Sequence, residues 1–438
     1  MIRIPPDIFP QIPGAYLVGG SIRDLLLGRS PLDWDIAVLK EPDSYAKHIA
    51  ANISGHLVYL GKSGHPIIRV ISKSTTVDVS PLNGQSIEED LSKRDFTINA
   101  MAYELCSGKL IDNAGGQQDL ADNIIRQASR NAFVSDPVRL IRAYRMGASL
   151  DFVIEPDTAS AIERHATLIQ KTAGERIREE LFKMLNTDRS HPFISQMAHS
   201  RILFNIFPEL TDLKKLHSTD SRQSNRFEQI LIGYCWLENI LADPRHHIPK
   251  TLQSYLKHPG EPIKVLLKCC RLWQDIGKTM IQPRADHKHP DDSGYELKSA
   301  TMARRICRRL RFSNRHTDYI QFIIQNHRRL EALFRADQDR SLGPKAVTRF
   351  FMECREMAPD LTVLAMAGIN SEEEGKSSHG RAFFDFLFHR IPDSYNAFRS
   401  KASRPPLLSG HDLIEAFGLT PSQQFKLILD VIEEERLS

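Results

Sequence analysis

Asp33 and Asp35 stand two residues apart in the run PLDWDIAV, and residues i and i+2 of a strand point to one face. Two carboxylates so placed can share divalent cations, as an in-line displacement at a phosphorus atom requires, which makes both candidate magnesium ligands. Just upstream, Gly19-Gly20-Ser21 lies between the apolar YLV and the helical IRDLLL. Gly19 and Gly20 lack side chains and let backbone N–H groups approach an anion at the start of the helix that opens near Ser21; a triphosphate fits there. Each half alone has a plainer reading, the glycines as a tight turn and Asp-Trp-Asp as a solvated strand end. Their occurrence together between Tyr16 and Val38 favours chemistry at phosphorus.

An apolar strand, the glycine turn, a short helix and a second strand must position these groups. From about residue 15 to 125 short apolar runs alternate with helical stretches, so a mixed sheet with helices against it is expected. Asp78 lies in the alternating run 75–79, with Val77 and Val79 facing the other way. It is the candidate for a third carboxylate that helps deprotonate an attacking hydroxyl, or else an exposed strand residue. After Val134 strand signals almost vanish, and LIRAYRMGASL, IREELFKMLN and FIIQNHRRLEALF have helical spacing. The expected fold is therefore α+β, a head at 1–134 followed by an elongated all-helical neck (135–216), body (217–345) and tail (346–438). Boundaries are expected near 188–191, in the polar stretch 217–225, and in the His-, Asp- and Lys-rich loop 283–294, which is expected to be mobile. No internal repeat or low-complexity segment is present.

Asp136 precedes Pro137, a pairing suited to an N-cap and first helical position. Arg139 lies three residues on, beside the cap on one helix face, and sets a planar array of donors next to an acceptor. Cytosine presents its N4 amino group beside N3, and adenine its N6 amino group beside N1. Asp136 can accept from the amino group while Arg139 donates to the ring nitrogen. Uracil and guanine present the opposite order and would leave buried polar groups unpaired.

The stretch from Tyr16 to Val38 resembles the first motif of the DNA polymerase β type nucleotidyltransferases, in the version of class II tRNA nucleotidyltransferases (CCA-adding enzymes) and bacterial poly(A) polymerases. KRDFTINAMAY, LIDNAGGQQDL, SDPVRLIRAYR and GERIREEL resemble further segments of that family, in order, over about the first 210 residues. The resemblance implies a polymerase β type head and two-metal, template-independent addition of CMP, AMP or both from CTP and ATP to the 3′ end of tRNA, with Mg2+ as cofactor. It leaves open a poly(A) polymerase acting on general RNA, a CC-only or A-only enzyme, or, more remotely, a non-catalytic RNA-binding protein. It further implies that Arg94, Asp95 and Asn99 handle ribose and phosphates, and that Asp136 and Arg139 act as a protein template for the base. Asp95 also suits an N-cap for a helix over 98–102. Arg23 is either a triphosphate ligand or a surface charge on an amphipathic helix. Ser135 stands where the family usually has Glu. The segment SPLNGQSIEEDL between the Asp78 strand and Arg94 is brief, and in this family a shortened loop there is associated with enzymes that add only CC.

With 438 residues and 41% hydrophobic content the chain can bury real cores and should form two to four packing units. No apolar run approaches a membrane span and Met1–Gly14 lacks a signal-peptide pattern, so a cytoplasmic protein without membrane contact is expected, its protein partners unknown. Six cysteines without CxxC spacing argue against a disulfide framework or zinc site, and Cys269 and Cys270 read as helix core. The net charge of +4 is modest, but Arg304, Arg305, Arg308, Arg309, Arg311 and Arg315 cluster in one segment and Arg139, Arg142 and Arg145 line another. Either set fits phosphate contacts or a solvated face paired with carboxylates.

LLKCCRLWQDIGK and GYELKSATMARRICRRLRFS resemble the HD phosphohydrolase domain found in several members of this family. Gln229, Gln274 and Tyr295 stand where imidazole ligands would be expected, and Asp275 alone retains its position. That implies a dismantled domain kept as an RNA-binding or scaffolding body. His287 and His289 are a remote alternative for metal.

Overall fold

The computed structural model describes residues 4–5, 7–62, 65–216, 225–253, 262–280, 294–369, 378–418, 420 and 422–437. The boundary segments expected at 217–224 and 283–293, with His287 and His289, lie outside the described residues.

Seven strands, β1 (Ala15–Val18), β2 (Asp33–Val38), β3 (His56–Lys62), β4 (His65–Ile71), β5 (Thr76–Pro81), β6 (Ala102–Glu104) and β7 (Leu110–Ile111), form one sheet ordered β3-β4-β5-β2-β1-β6-β7. Within this sheet, among the described residues, only β2 and β5 pair in parallel. A parallel pair needs a crossover. Here it consists of β3, β4 and the helix after β2, Pro42–Ile53, which follows the shorter Gly20–Leu26; these two helices are α2 and α1. α2 buries Tyr45, Ala46 and Ile49 against the sheet face that also carries Ile36, Ile68, Val77 and Val79. The other face carries Asp33, Asp35 and Asp78. Farther along that face Ala37 packs with Val18, Ala102, Ile87 and Leu91, the last two from helix α3 (Ile87–Ser92). The carboxylates therefore sit where the covered part of the face gives way to an open one.

After the sheet come short helices α4 (Gly116–Ala121) and α5 (Ala132–Ser135), then α6 (Arg139–Leu150), α7 (Pro156–His165) and α8 (Gly174–Leu185). One element departs from the all-helical expectation. Val153–Ile154 forms a strand, β9, parallel to β8 (Ile124–Ile125), with Glu155 N–H donating to Ile125 O at 3.0 Å. Two β-branched residues at the left-handed turn of Asp151 (φ 61) are too short a run to stand out by periodicity.

The chain divides into two compact units, residues 1–184 with 196–206, and residues 185–195 with 207–438. The second is helical. Its helices Arg226–Ala242, Ile263–Trp273 and Ala358–Ile369 pack on one another, and Cys269 and Cys270 are buried core residues. A fully buried Lys268 ammonium donates to Glu238 Oε1 (2.5 Å) and to the carbonyls of Leu185 and Thr187 (2.8 Å each). Glu238 also accepts from the Ser190 and His191 N–H groups, so a satisfied buried pair fixes the 185–191 connection. Among the described residues no helix is long and apolar enough to cross a membrane.

Candidate active site

The turn and the carboxylate strand are joined through Ser21. Its buried hydroxyl accepts from Asp35 N–H at 2.8 Å and donates to Asp33 O at 3.1 Å, which fixes the start of α1 against β2. Gly19 has φ +66, and a Cβ there would lie 2.9 Å from the Arg94 guanidinium and 3.6 Å from Asp35 Oδ2. A Cβ on Gly20 would lie 3.4 Å from Arg23 and 3.8 Å from Asp35 Oδ2. The backbone of the turn thus faces one carboxylate and two guanidinium groups at close range, and Gly19 has both a backbone and a steric reason to lack a side chain.

Asp78 is in register with Asp35 on the parallel strand β5, and Arg69 is in register with Asp78 on β4. Arg69 donates to both Asp78 oxygens, at 2.8 and 2.7 Å. Burial pushes the Asp35 carboxyl up to about 6; Arg94 opposes this, while Asp78 and Asp33 add to it. Like charges crowded in a partly enclosed place suit a bound cation. Among the described residues no three His, Cys, Asp or Glu side chains form a ready-made metal cage. Two carboxylates with remaining ligands from phosphate oxygens and water are nonetheless the donor set magnesium commonly takes.

A pH dependence follows. Because the carboxyl is raised, the cation-free fold holds a proton that the unfolded chain has already lost, and its stability falls as pH rises from the ordinary carboxylate range through 6. A cation must displace that proton, so divalent-cation affinity is expected to strengthen about tenfold between roughly pH 5 and 7. Calorimetric titration with Mg2+ checks this, and Asp35→Asn should abolish the dependence.

Arg23 is a partly buried member of a polar chain. It donates to Asp24 Oδ1 and, at 2.8 Å, to Asn99 Oδ1; Asn99 donates to Asp95 Oδ1 at 3.0 Å; and Arg142 reaches Asp95 Oδ2 at 3.2 Å. Burial would raise the Asp95 carboxyl, but Arg142, Asn99 and the Phe96 N–H outweigh it and hold it below the usual range. Its side chain accepts from the adjacent Phe96 N–H rather than capping a helix over 98–102. Residues 97–99 form a single 3-10 turn and Ala102 already belongs to β6. Arg142 and Arg145 converge on Glu180 of α8 at 3.1 and 3.0 Å, so these two guanidinium groups are engaged with buried carboxylates. Arg94 pairs with the buried Asp90 at 2.8 Å.

Asp136 does not cap a helix. α6 begins at Arg139 after a tight turn in which the Asp136 carbonyl, not its carboxylate, accepts from Arg139 N–H. The carboxylate is instead held by Arg176, at 3.0 and 2.8 Å. Arg139 donates to the carbonyls of Lys93 (2.8 Å), Ala132 (3.3 Å) and Arg94 (3.4 Å), and its buried Nε has no partner. Ser135, in the place of the expected Glu, accepts from Arg139 at 3.4 Å.

In the second unit Asp275 is buried against Arg226, whose Nη1 donates to Gln229 Oε1 at 2.8 Å. Tyr295 lies 3.1 Å from His327 Nε2. The arginines of Tyr295–Arg309 divide. Arg309 pairs with Glu209 and Arg304 donates to Gln321, whereas Arg305 and Arg308 are exposed and make no ion pair among the described residues.

Residues 15–126 match the family described as the poly A polymerase head domain, and residues 151–214 match the one described as a probable RNA and SrmB-binding site of polymerase A. An A-adding tRNA nucleotidyltransferase of Deinococcus radiodurans is 29% identical over 448 residues, covering 100% of this chain and 94% of that protein. Two poly A polymerase domain types thus match in order, and the chain is similar over its whole length to a tRNA nucleotidyltransferase. A CC-adding tRNA nucleotidyltransferase of Geobacter sulfurreducens is 42% identical over 195 residues, 44% of this chain and 45% of that protein, so this alignment spans less than half the length of either. The fold is like that of a Thermotoga maritima CCA-adding enzyme complexed with tRNA, with TM-score 0.64 and 22% identity over 97% of this chain and 87% of that one. Within the first unit, sequence reasoning missed Ser21, Arg69, Asp90, Arg176 and Glu180. Only Arg69 left a signal, a lone charge inside the apolar strand HPIIRVI.

Proposed function

We propose that this chain is a tRNA nucleotidyltransferase that adds CMP, AMP or both from CTP and ATP to the tRNA 3′ end. The observation that carries it is the Gly19–Gly20 turn facing Asp35, Arg23 and Arg94, with Asp33 and Asp78 on the same sheet face. The turn and the two arginines bind and orient the triphosphate. Asp33 and Asp35 would hold Mg2+, which when bound polarises the α-phosphorus and the attacking ribose hydroxyl. Asp78, held by the Arg69 guanidinium, would accept the proton of that hydroxyl. Asn99 and Asp95 address the ribose side of the nucleotide, and Asp136 and Arg139 read its base.

The connection after β5 favours the CC-adding variant as a second reading. Asn83 N–H donates to Asp90 and Gln85 N–H to Glu89, Lys93 closes on Asn83 O, and a Cβ on Gly84 would meet Glu89 at 2.5 Å. These residues pack as a tight turn rather than a long reaching loop. Incubation of tRNA lacking CCA, and of tRNA ending in CC, with each labelled NTP tests both readings. Incorporation of C only, of A only onto the CC end, of CCA, or of a long A tail distinguishes the members of the class, and no incorporation into either RNA would reject it.

Exposed Arg305 and Arg308 suit phosphates of the bound RNA. Charge reversal of both should weaken tRNA binding about tenfold at low salt and reduce the slope of log affinity against log salt by about 2, with turnover at saturating tRNA retained. Filter binding across a salt series measures this.

A further inference from the structure

Arg176 lies beyond the groups assigned above. It stands in the first turn of α8, one turn before Glu180, and residues four apart share a helix face. Glu180 ties that face to Arg142 and Arg145 of α6. The same pairing therefore sets the position of Arg176 relative to the segment that carries Asp136 and Arg139. Arg176 Nη1 donates to Asp136 Oδ1 at 3.0 Å and Nη2 to Oδ2 at 2.8 Å, a parallel fork that fixes the plane of the carboxylate. The Arg176 side chain is 50% exposed and that of Asp136 26%, so the pair borders open space rather than the core.

We propose that Arg176 is a specificity-positioning residue, which through this fork sets Asp136 as a fixed acceptor for the amino edge of the incoming base. The proposal rests on the reading of Asp136 and Arg139 as the base template. Each carboxylate oxygen has two acceptor sites and the fork takes one on each, so Asp136 accepts from cytosine N4 or adenine N6 without releasing Arg176. A uracil or guanine carbonyl in that place faces a carboxylate that cannot turn aside. Arg139 is held in an equally definite orientation by the carbonyls of Lys93 and Arg94. Acceptor and donor are thus fixed by different segments, one by α8 and the other by the residues just before Asp95. Without Arg176, Asp136 keeps its charge but loses its orientation, and discrimination falls while binding of the triphosphate persists.

The test is incorporation into tRNA lacking its terminal nucleotides, with kcat/KM for CTP, ATP, UTP and GTP in Arg176→Ala, Arg176→Lys and Asp136→Asn. In Arg176→Ala the preference for CTP over UTP, or for ATP over GTP, is expected to fall about tenfold or more, with tRNA affinity unchanged. Arg176→Lys restores the charge without the fork and should regain only part of the preference. Equal loss for all four nucleotides, or weaker tRNA binding with the preference intact, would overturn the proposal. If Asp136→Asn retains the preference, the base-template reading fails and the proposal with it. If Asp136→Asn loses it while Arg176→Ala does not, the template stands and only the role of Arg176 falls.

Discussion

Replacing Asp35 with alanine is expected to lower nucleotide incorporation by about three orders of magnitude or more, with tRNA affinity close to that of the unaltered protein. Asp35 is enclosed at the junction of turn and strand, with its N–H bonded to Ser21 and its carboxylate next to the Gly19–Gly20 backbone. A cation held there with Asp33 would contribute several kcal/mol of charge stabilisation at phosphorus, and each 1.36 kcal/mol is about a factor of ten in rate. Asp33→Ala should act likewise. Asp35→Asn keeps the shape, removes a crowded carboxylate, and should stabilise the cation-free fold at neutral pH while abolishing activity. Single-turnover incorporation with saturating tRNA, beside filter binding of the same variants, is the measurement. Near-normal turnover in either alanine variant would reject the cation site.

Local patterns carried the sheet and the shared face of three carboxylates in the candidate site. Alternation in 75–79 set Asp78 opposite Val77 and Val79, and strand spacing put Asp33 and Asp35 on one face. Both are properties of a single element. What escaped was the pairing between elements. Arg142 and Arg145 fitted either phosphate contacts or a face paired with carboxylates, and the sequence could not choose between them because their partner Glu180 lies in another helix, more than thirty residues on. Asp136 read as a cap because Asp-Pro is a good local start signal. A bidentate guanidinium, supplied from forty residues away, outcompetes the weaker bond to a backbone N–H. Arg23 could not be told from a surface charge until Asn99 was brought to it across the sheet.

Arg226→Ala is expected to destabilise the second unit by about 3–5 kcal/mol, because it leaves a buried carboxylate without its principal partner. Asp275 is 1% exposed. Its Oδ2 accepts from Arg226 at 3.2 and 3.1 Å, while Oδ1 has no hydrogen bond and lies 3.6 Å from the Lys278 ammonium. Burial alone would raise the carboxyl; Arg226, Lys278, His327 and Arg271 together hold it far below the usual range. A depressed carboxyl contributes stability that is full above the unfolded pKa, so the contribution of Asp275 falls away progressively as pH drops below the ordinary carboxylate range. Arg226→Met combined with Asp275→Leu removes both charges and should cost far less than either single change. Arg226 thus supplies the positive charge beside Asp275, and the side chains expected as ligands there are poor ones: amides at Gln229 and Gln274, a phenol at Tyr295 already paired with His327. Urea unfolding of Arg226→Ala should give the same midpoint with and without added nickel or manganese. Recovery of stability on adding either metal, or metal-dependent hydrolysis of 2′,3′-cyclic AMP that disappears in Asp275→Ala, would instead make this pocket a second active site.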